Sequence, residues 1–175
     1  MKNVQFGCGR NRLSGWYNHD SDVDISKKLP FASGMIDNIF LEHSLEHLSP
    51  NEALSFLDEA YRILVVGGAI RVVVPSVSRI FDMATDEYCS YVAKRGWGDG
   101  SRISSVRAIM TQHGHQSWWT AELLEIALSV AGFVPKRHEV GCSNKQVFVG
   151  IEGHHKVVGE AIASLESVVY EGAKE

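Results

Sequence analysis

The chain has little of what small stapled or membrane-anchored proteins depend on. Its 175 residues include three cysteines, Cys8, Cys89 and Cys142. The set is odd and widely spaced, without CxxC pairs, so neither an even disulfide framework nor a zinc ribbon fits, and a reduced, cytoplasmic setting is expected. Basic charge is also short: 17 Lys and Arg against 21 Asp and Glu give a formal charge of −4. That balance disfavours a dedicated nucleic-acid binder, which needs a basic excess to hold phosphates. No stretch approaches the ~20 apolar residues of a membrane span. The first residues run directly into an apolar segment, so no targeting peptide is expected. Repeats and low-complexity tracts are absent. What is present is a 45% hydrophobic composition, enough for one packed core, and a single domain over residues 1–175 is expected.

Val4 to Phe6 form a short apolar run that breaks at Gly7-Cys8-Gly9, a first strand ending in a tight turn. Trp16 to His19 read as a second strand followed by the acidic stretch Asp20-Ser21-Asp22-Val23-Asp24, and Ile36 to Glu42 as the next. Ser49-Pro50-Asn51-Glu52 opens a helix with a capping box and proline at the first helical position. Ala53, Phe56, Leu57, Ala60, Tyr61 and Leu64 place one apolar stripe along it. Gly67-Gly68 ends it, and Ala69 to Val74 form a strand apolar on both sides, closed by Pro75. Val77 to Lys94 reads as a helix and Gly96 to Ser117 as a polar connection. Thr120 caps a helix through Ala131, stopped by Gly132, and Val134–Gly141 and Val168–Gly172 are the last strands. This order calls for a parallel sheet with crossover helices, a Rossmann-like α/β fold.

The glycine turn matters because a backbone without Cβ can approach a ligand closely. Asp20, at the end of the second strand, stands where an acidic side chain accepts hydrogen bonds from ribose hydroxyls in nucleotide-binding units. Together they are more specific than either alone.

From Val4 to about Pro75 the sequence resembles the small class I methyltransferases of type 11. The resemblance runs through Val4-Gln5-Phe6-Gly7-Cys8-Gly9, Gly15 to Asp20, Asp24-Ile25 with Leu29-Pro30-Phe31, Asp37 to His47, and Tyr61-Arg62-Ile63-Leu64 with Gly67-Gly68; it resumes more loosely at Trp119 to Phe133 and in the last strand. It implies a three-layer sandwich around a mostly parallel sheet with an antiparallel last strand, and S-adenosylmethionine as cofactor. By resemblance Phe6, Gly7, Cys8 and Gly9 would pass under the methionine part and Asp20 would hold the ribose. Asp24 and Ile25 would flank the adenine, and Glu42 and His43 would line the methyl-donor end. The half up to residue 75 would bind the cofactor, and residues 76–175 an acceptor that is a small molecule or a glycan or lipid precursor. An acceptor oxygen or nitrogen calls for a base, for which His43 and His115 are the candidates. A homodimer is compatible with all of this.

Two features depart from that pattern. Asp20 follows Gly9 by eleven positions, against the ~20 that a full crossover helix takes, so the first helix should be very short or missing. Asn11 stands where a third turn glycine is often found. The shortened crossover motivates a second reading, a non-catalytic binding or assembly protein that keeps the fold. A third comes from His43-Ser44-Leu45-Glu46-His47, which matches the H-x-x-E-H pattern of inverted zinc peptidases. On a helix the two histidines would share a face, with Glu46 as general base and Glu122 or Glu125 as third ligand. The leading reading expects no metal. His113 and His115 lie in the polar connection ahead of Trp118-Trp119, His154-His155 read as a surface turn, Cys89 as an inward-facing helix residue, and Cys8 as a small turn residue without a base.

Overall fold

The computed structural model describes residues 1–175. In chain order the elements are β1 (Asn3–Phe6), β2 (Tyr17–His19), β3 (Ile36–Glu42), a 3-10 turn (Leu45–His47), α1 (Pro50–Ile63) and β4 (Leu64–Pro75). After these come α2 (Val77–Met83), α3 (Asp86–Lys94), α4 (Arg102–Thr111), α5 (Ala121–Val130), β5 (Val134–His138), a second 3-10 turn (Gln146–Phe148), α6 (His155–Val158), α7 (Glu160–Glu166) and β6 (Ser167–Ala173). The strands form a six-stranded sheet in the order β2-β1-β3-β4-β6-β5. β2, β1, β3 and β4 are mutually parallel, and β6 runs antiparallel to both of its neighbours. The expected sheet, mostly parallel with its last strand reversed, is the one formed.

One face of the sheet carries the main core. Val4, Phe6, Ile39, Leu41, Ile70 and Val72 alternate inward against α1 and α5, following the period-two rule for strand side chains. The α1 helix begins as its capping box predicts: the Glu52 carboxylate accepts from both the backbone N–H and the hydroxyl of Ser49, at 2.9 and 2.6 Å. Thr120 opens α5 by accepting from the Leu123 N–H.

The other face is built differently. No helix connects β1 to β2, so residues 7–16 cross the strand ends as coil, and Leu13 and Trp16 pack with Val140 and Ile151 over Phe40, Val73 and Val169. Coil from the C-terminal half supplies the rest of this third layer. It is fixed by Arg71 of β4, which is fully buried. Its guanidinium pairs with Glu152 and, at 2.6 Å, with Glu171, and donates to the carbonyls of Cys142 and Glu139 at 3.0 and 3.3 Å. A strand position that reads as an apolar alternation therefore carries an ionic anchor.

Three predicted elements differ. The helix opened by Ser49 ends at Ile63 rather than at Gly67-Gly68, and Leu64 to Gly68 extend β4 instead. Val77–Lys94 is not one helix but two, because the Thr85 hydroxyl accepts from the Tyr88 N–H and starts α3 afresh. The polar stretch Gly96–Ser117 contains α4, capped by Ser101, which accepts from the Ser104 N–H at 3.2 Å. α2, α3 and α4 enclose a second cluster of buried side chains around Ile80, Tyr88, Cys89 and Val92 beyond the end of β4.

Candidate active site

The C-terminal ends of β1, β2 and β3 meet at one rim, the general location of ligand sites in open α/β sheets. Gly7 and Gly9 have φ of +63° and +45°, conformations that side-chain-bearing residues rarely adopt. At Gly7 a Cβ would collide with the Ser44 hydroxyl, whereas at Gly9 the space above the backbone is open. The Asp20 carboxylate is exposed beside this turn, 3.4 Å from the Gly9 N–H. The turn and the acid, eleven residues apart, thus share one corner that is open to solvent above Gly9.

The other proposed cofactor residues are disposed unevenly around this corner. Phe6 is fully buried against Phe56 and Phe31 on the core face, so it can offer only its backbone. Cys8 is buried, its N–H donates to the His19 carbonyl at 3.0 Å, and burial pushes its thiol pKa up, which leaves it a packing residue. One oxygen of Asp24 accepts from the Ser26 N–H and hydroxyl, bonds that hold its pKa down, while Ile25 leans on the main core. Glu42 accepts from the backbone N–H groups of Gly153 and His154 at 2.8 and 3.1 Å. Asn11 donates to the Ile151 carbonyl at 3.0 Å, and its side chain packs against Gly153. Residues 151–157 therefore lie beside this corner, bounding a cleft of ≈ 270 Å³ lined by Cys8, Asn11, Glu42 and His43.

His43 stands at the boundary between this cleft and a second cavity of ≈ 390 Å³. Its φ of +47° turns the chain sharply after β3. Its ring stacks on that of His154 with centroids 3.9 Å apart, and the pair forms a wall common to both spaces. His154, expected on a surface turn, belongs instead to this wall. Its Nε2 bonds Glu166 at 2.6 Å, and Glu166 accepts from the Tyr88 hydroxyl at 3.0 Å. Burial disfavours the charged form of His43, but Glu46, Glu166 and Glu42 outweigh it and raise its pKa. The larger cavity is lined by Tyr88, Tyr91, Trp97 and Ile109 from α3, α4 and the segment between them, and by His47 and His115. His115 binds the Ile109 carbonyl through Nδ1 at 2.6 Å, so that nitrogen is the N–H and Nε2 is the free lone pair. Burial lowers its pKa and favours that neutral form.

The H-x-x-E-H arrangement expected of a zinc peptidase is not formed. The left-handed turn at His43 breaks the helix before it starts, and only Leu45–His47 wind, as a single 3-10 turn. His43 faces His154, His47 faces His115, and Glu125 on α5 accepts from the Tyr170 hydroxyl. Glu46 is 1% exposed and neither of its carboxylate oxygens has a hydrogen-bond partner. The sequence marks Glu46 through its motif, but nothing local marks His154 or Glu166, which reach the site from the far end of the chain.

Residues 11–72 match the methyltransferase-domain family of type 11. No curated protein matches the chain. Among solved structures, the complex between the Haloferax volcanii Trm112 methyltransferase activator and a methyltransferase contains a chain that superposes with a TM-score of 0.59 at 10% identity, covering 99% of this chain and 82% of that one. An S-adenosylmethionine-dependent methyltransferase from Archaeoglobus fulgidus gives 0.57 at 14% identity, with 98% and 85% covered. Phosphoethanolamine N-methyltransferase 2 of Haemonchus contortus, in complex with S-adenosyl-L-methionine, gives 0.54 at 14%, with 99% and 49% covered. Residues 11–72 thus carry a methyltransferase-domain signature, and the fold is shared with S-adenosylmethionine-dependent methyltransferases. No helix is long and apolar enough to cross a membrane.

Proposed function

We propose that the protein transfers a methyl group from S-adenosylmethionine, held mainly by residues up to about 75, to an acceptor in the larger cavity, held mainly by residues 76–175. The acceptor is a small molecule or the terminal group of a glycan or lipid precursor, admitted between aromatic and histidine side chains. The observation that carries this reading is the common wall: the cleft beneath the glycine turn and the larger cavity meet at His43 and His154. Bound there, the cofactor's sulfonium would supply an activated methyl group, leaving the protein to align the acceptor. Gly9 lets the backbone approach, Gly7 makes the turn against Ser44, Asp20 accepts from the ribose hydroxyls, and Asp24 and Ile25 border the adenine. His43 orients the acceptor at the boundary, and His115 lines the same cavity as the second candidate for that role. Free Cys142 at the surface suits a reduced, cytoplasmic setting. A protein activator, as in the Haloferax volcanii complex, is a natural kind of partner.

Calorimetry with S-adenosylmethionine and with its demethylated product tests the reading. Saturable binding is expected, about 10- to 100-fold weaker in Asp20→Ala, the loss of hydrogen bonds to a charged group. Absence of binding by the unaltered chain would end it. One contact favours a second reading, a binding or assembly protein without turnover: the Glu42 carboxylate is already satisfied by the Gly153 and His154 amides. Cofactor binding with no methyl transfer to a broad acceptor panel would select that reading.

A further inference from the structure

The larger cavity contains an arrangement that methyl transfer leaves unexplained. A carboxylate in the protein interior is expected to be paired and hydrogen-bonded, because its desolvation is otherwise uncompensated. Glu46 has neither oxygen hydrogen-bonded although it is 1% exposed. His43 Nδ1 makes an ion-pair contact with one oxygen at 3.6 Å and His115 Nε2 stands 3.9 Å from the same oxygen, but neither is within hydrogen-bond distance, and the second oxygen has no partner. The second contact is between two acceptors, since His115 gives its N–H to the Ile109 carbonyl and turns a bare lone pair toward Glu46. A lone pair and a carboxylate oxygen that face each other across such a gap attract something positive between them.

We propose that Glu46, His47 and His115 form a binding site for a divalent transition-metal cation, zinc being the best match, on the wall of the larger cavity. Ligand atoms of the three residues lie within 4.8 Å of one another. Zinc bonds of about 2.0–2.1 Å in tetrahedral geometry put ligand atoms about 3.3 Å apart, so small rotations close the set. A carboxylate and two imidazoles are a donor set that zinc accepts, and three protein ligands leave one position open. The anchoring of His115 through Nδ1 to a carbonyl is the outer bond that orients metal-binding histidines.

The backbone holds the two segments together before any cation arrives. The Gln116 and Ser117 N–H groups both donate to the Glu46 carbonyl, at 2.8 and 3.1 Å. The Gln116 side chain donates to the His47 carbonyl at 2.6 Å. These bonds bring the His47 and His115 rings to 5.0 Å between centroids. The neighbouring group His43, His154 and Glu166 also has metal-ligand chemistry. It is internally satisfied, however, by the His154 to Glu166 bond at 2.6 Å and the Tyr88 hydroxyl. The orphaned carboxylate selects between the two clusters. Cation binding stands independently of methyl transfer; its consequence for the acceptor rests on the function proposed above. The open coordination position faces the cavity, so the cation would select acceptors that present an oxygen ligand, such as a hydroxyl or carboxylate.

Titration of the metal-free full chain with Zn²⁺ alone, followed by calorimetry and by competition with a chromogenic chelator, tests the site. One equivalent per chain is expected, and Co²⁺ in its place should give the visible absorption of a four-coordinate site. His115→Gln and His47→Asn should each weaken zinc by more than about 100-fold, while His154→Gln retains the affinity of the unaltered chain. His47 is exposed, so its variant folds even where a change at Glu46 or His115 does not. No stoichiometric zinc, or affinity lost with His154→Gln and kept in His47→Asn, overturns the site. S-adenosylmethionine binding measured on the same samples separates the outcomes: zinc without cofactor binding sinks the methyltransferase reading, and cofactor without zinc sinks this one.

Discussion

At the scale of single residues, Arg71 shows how one side chain substitutes for a missing structural layer. Its guanidinium is fully buried among Glu152, Glu171 and two carbonyls. Removing one partner from such a cluster leaves uncompensated charge, which costs more than the pairing itself contributes. Arg71→Met is therefore expected to lower stability by about 3–5 kcal/mol, read by urea unfolding. Adding Glu152→Gln and Glu171→Gln should restore part of the loss; additive losses would show that the ion pairs are not coupled. Its role was hidden in sequence because Ala69-Ile70-Arg71-Val72-Val73-Val74 places one charge within a β-branched run, and its partners lie 81 and 100 residues away. The place of Asp20, after β2 and beside the glycine turn, is legible because it follows from local properties. Asn11, noted only as a departure from glycine, turned out to brace the Ile151 segment.

At the scale of elements, the signals that worked were those with a short-range mechanism. The Ser49 to Glu52 box, Pro50 and the apolar stripe gave α1 its start and its buried face. Ser49→Ala removes the hydroxyl that Glu52 accepts and should cost about 1 kcal/mol, with a parallel decrease in the thermal midpoint; an unchanged midpoint would show that tertiary packing alone fixes the helix start. The eleven-residue spacing from Gly9 to Asp20 correctly forecast the missing first helix. What it could not convey is that coil from residues 139–152 takes that place, because a pairing between distant segments has no local signature. The same limit hid α4: its apolar periodicity is weak, and its Ser101 cap is inconspicuous in a serine-rich stretch. The H-x-x-E-H spacing would make its two histidines neighbours only on a helix, and the backbone reversal at His43 turns them toward different partners instead.

At the scale of the whole molecule, the order β2-β1-β3-β4-β6-β5 has a consequence for the order of folding. β6 is the last strand in the chain yet lies between β4 and β5, pairing with both over Ser167–Ala173. A ribosome-bound chain cannot close the sheet until that segment has emerged. Until then β4 presents an open edge, its apolar residues lack a neighbour, and Arg71 lacks Glu171. Unpaired edges of this kind are prone to aggregate. A chain stopped after Glu166 is expected to unfold without a cooperative transition and to expose apolar surface to a dye such as ANS; a cooperative transition would show that β4 and β5 hold their places unaided. Supplying residues 167–173 as a separate peptide should then restore cooperativity, since the missing strand has two ladders waiting for it. The strand that follows every other strand in the chain is thus the keystone of the sheet, and the nascent protein commits to its fold late.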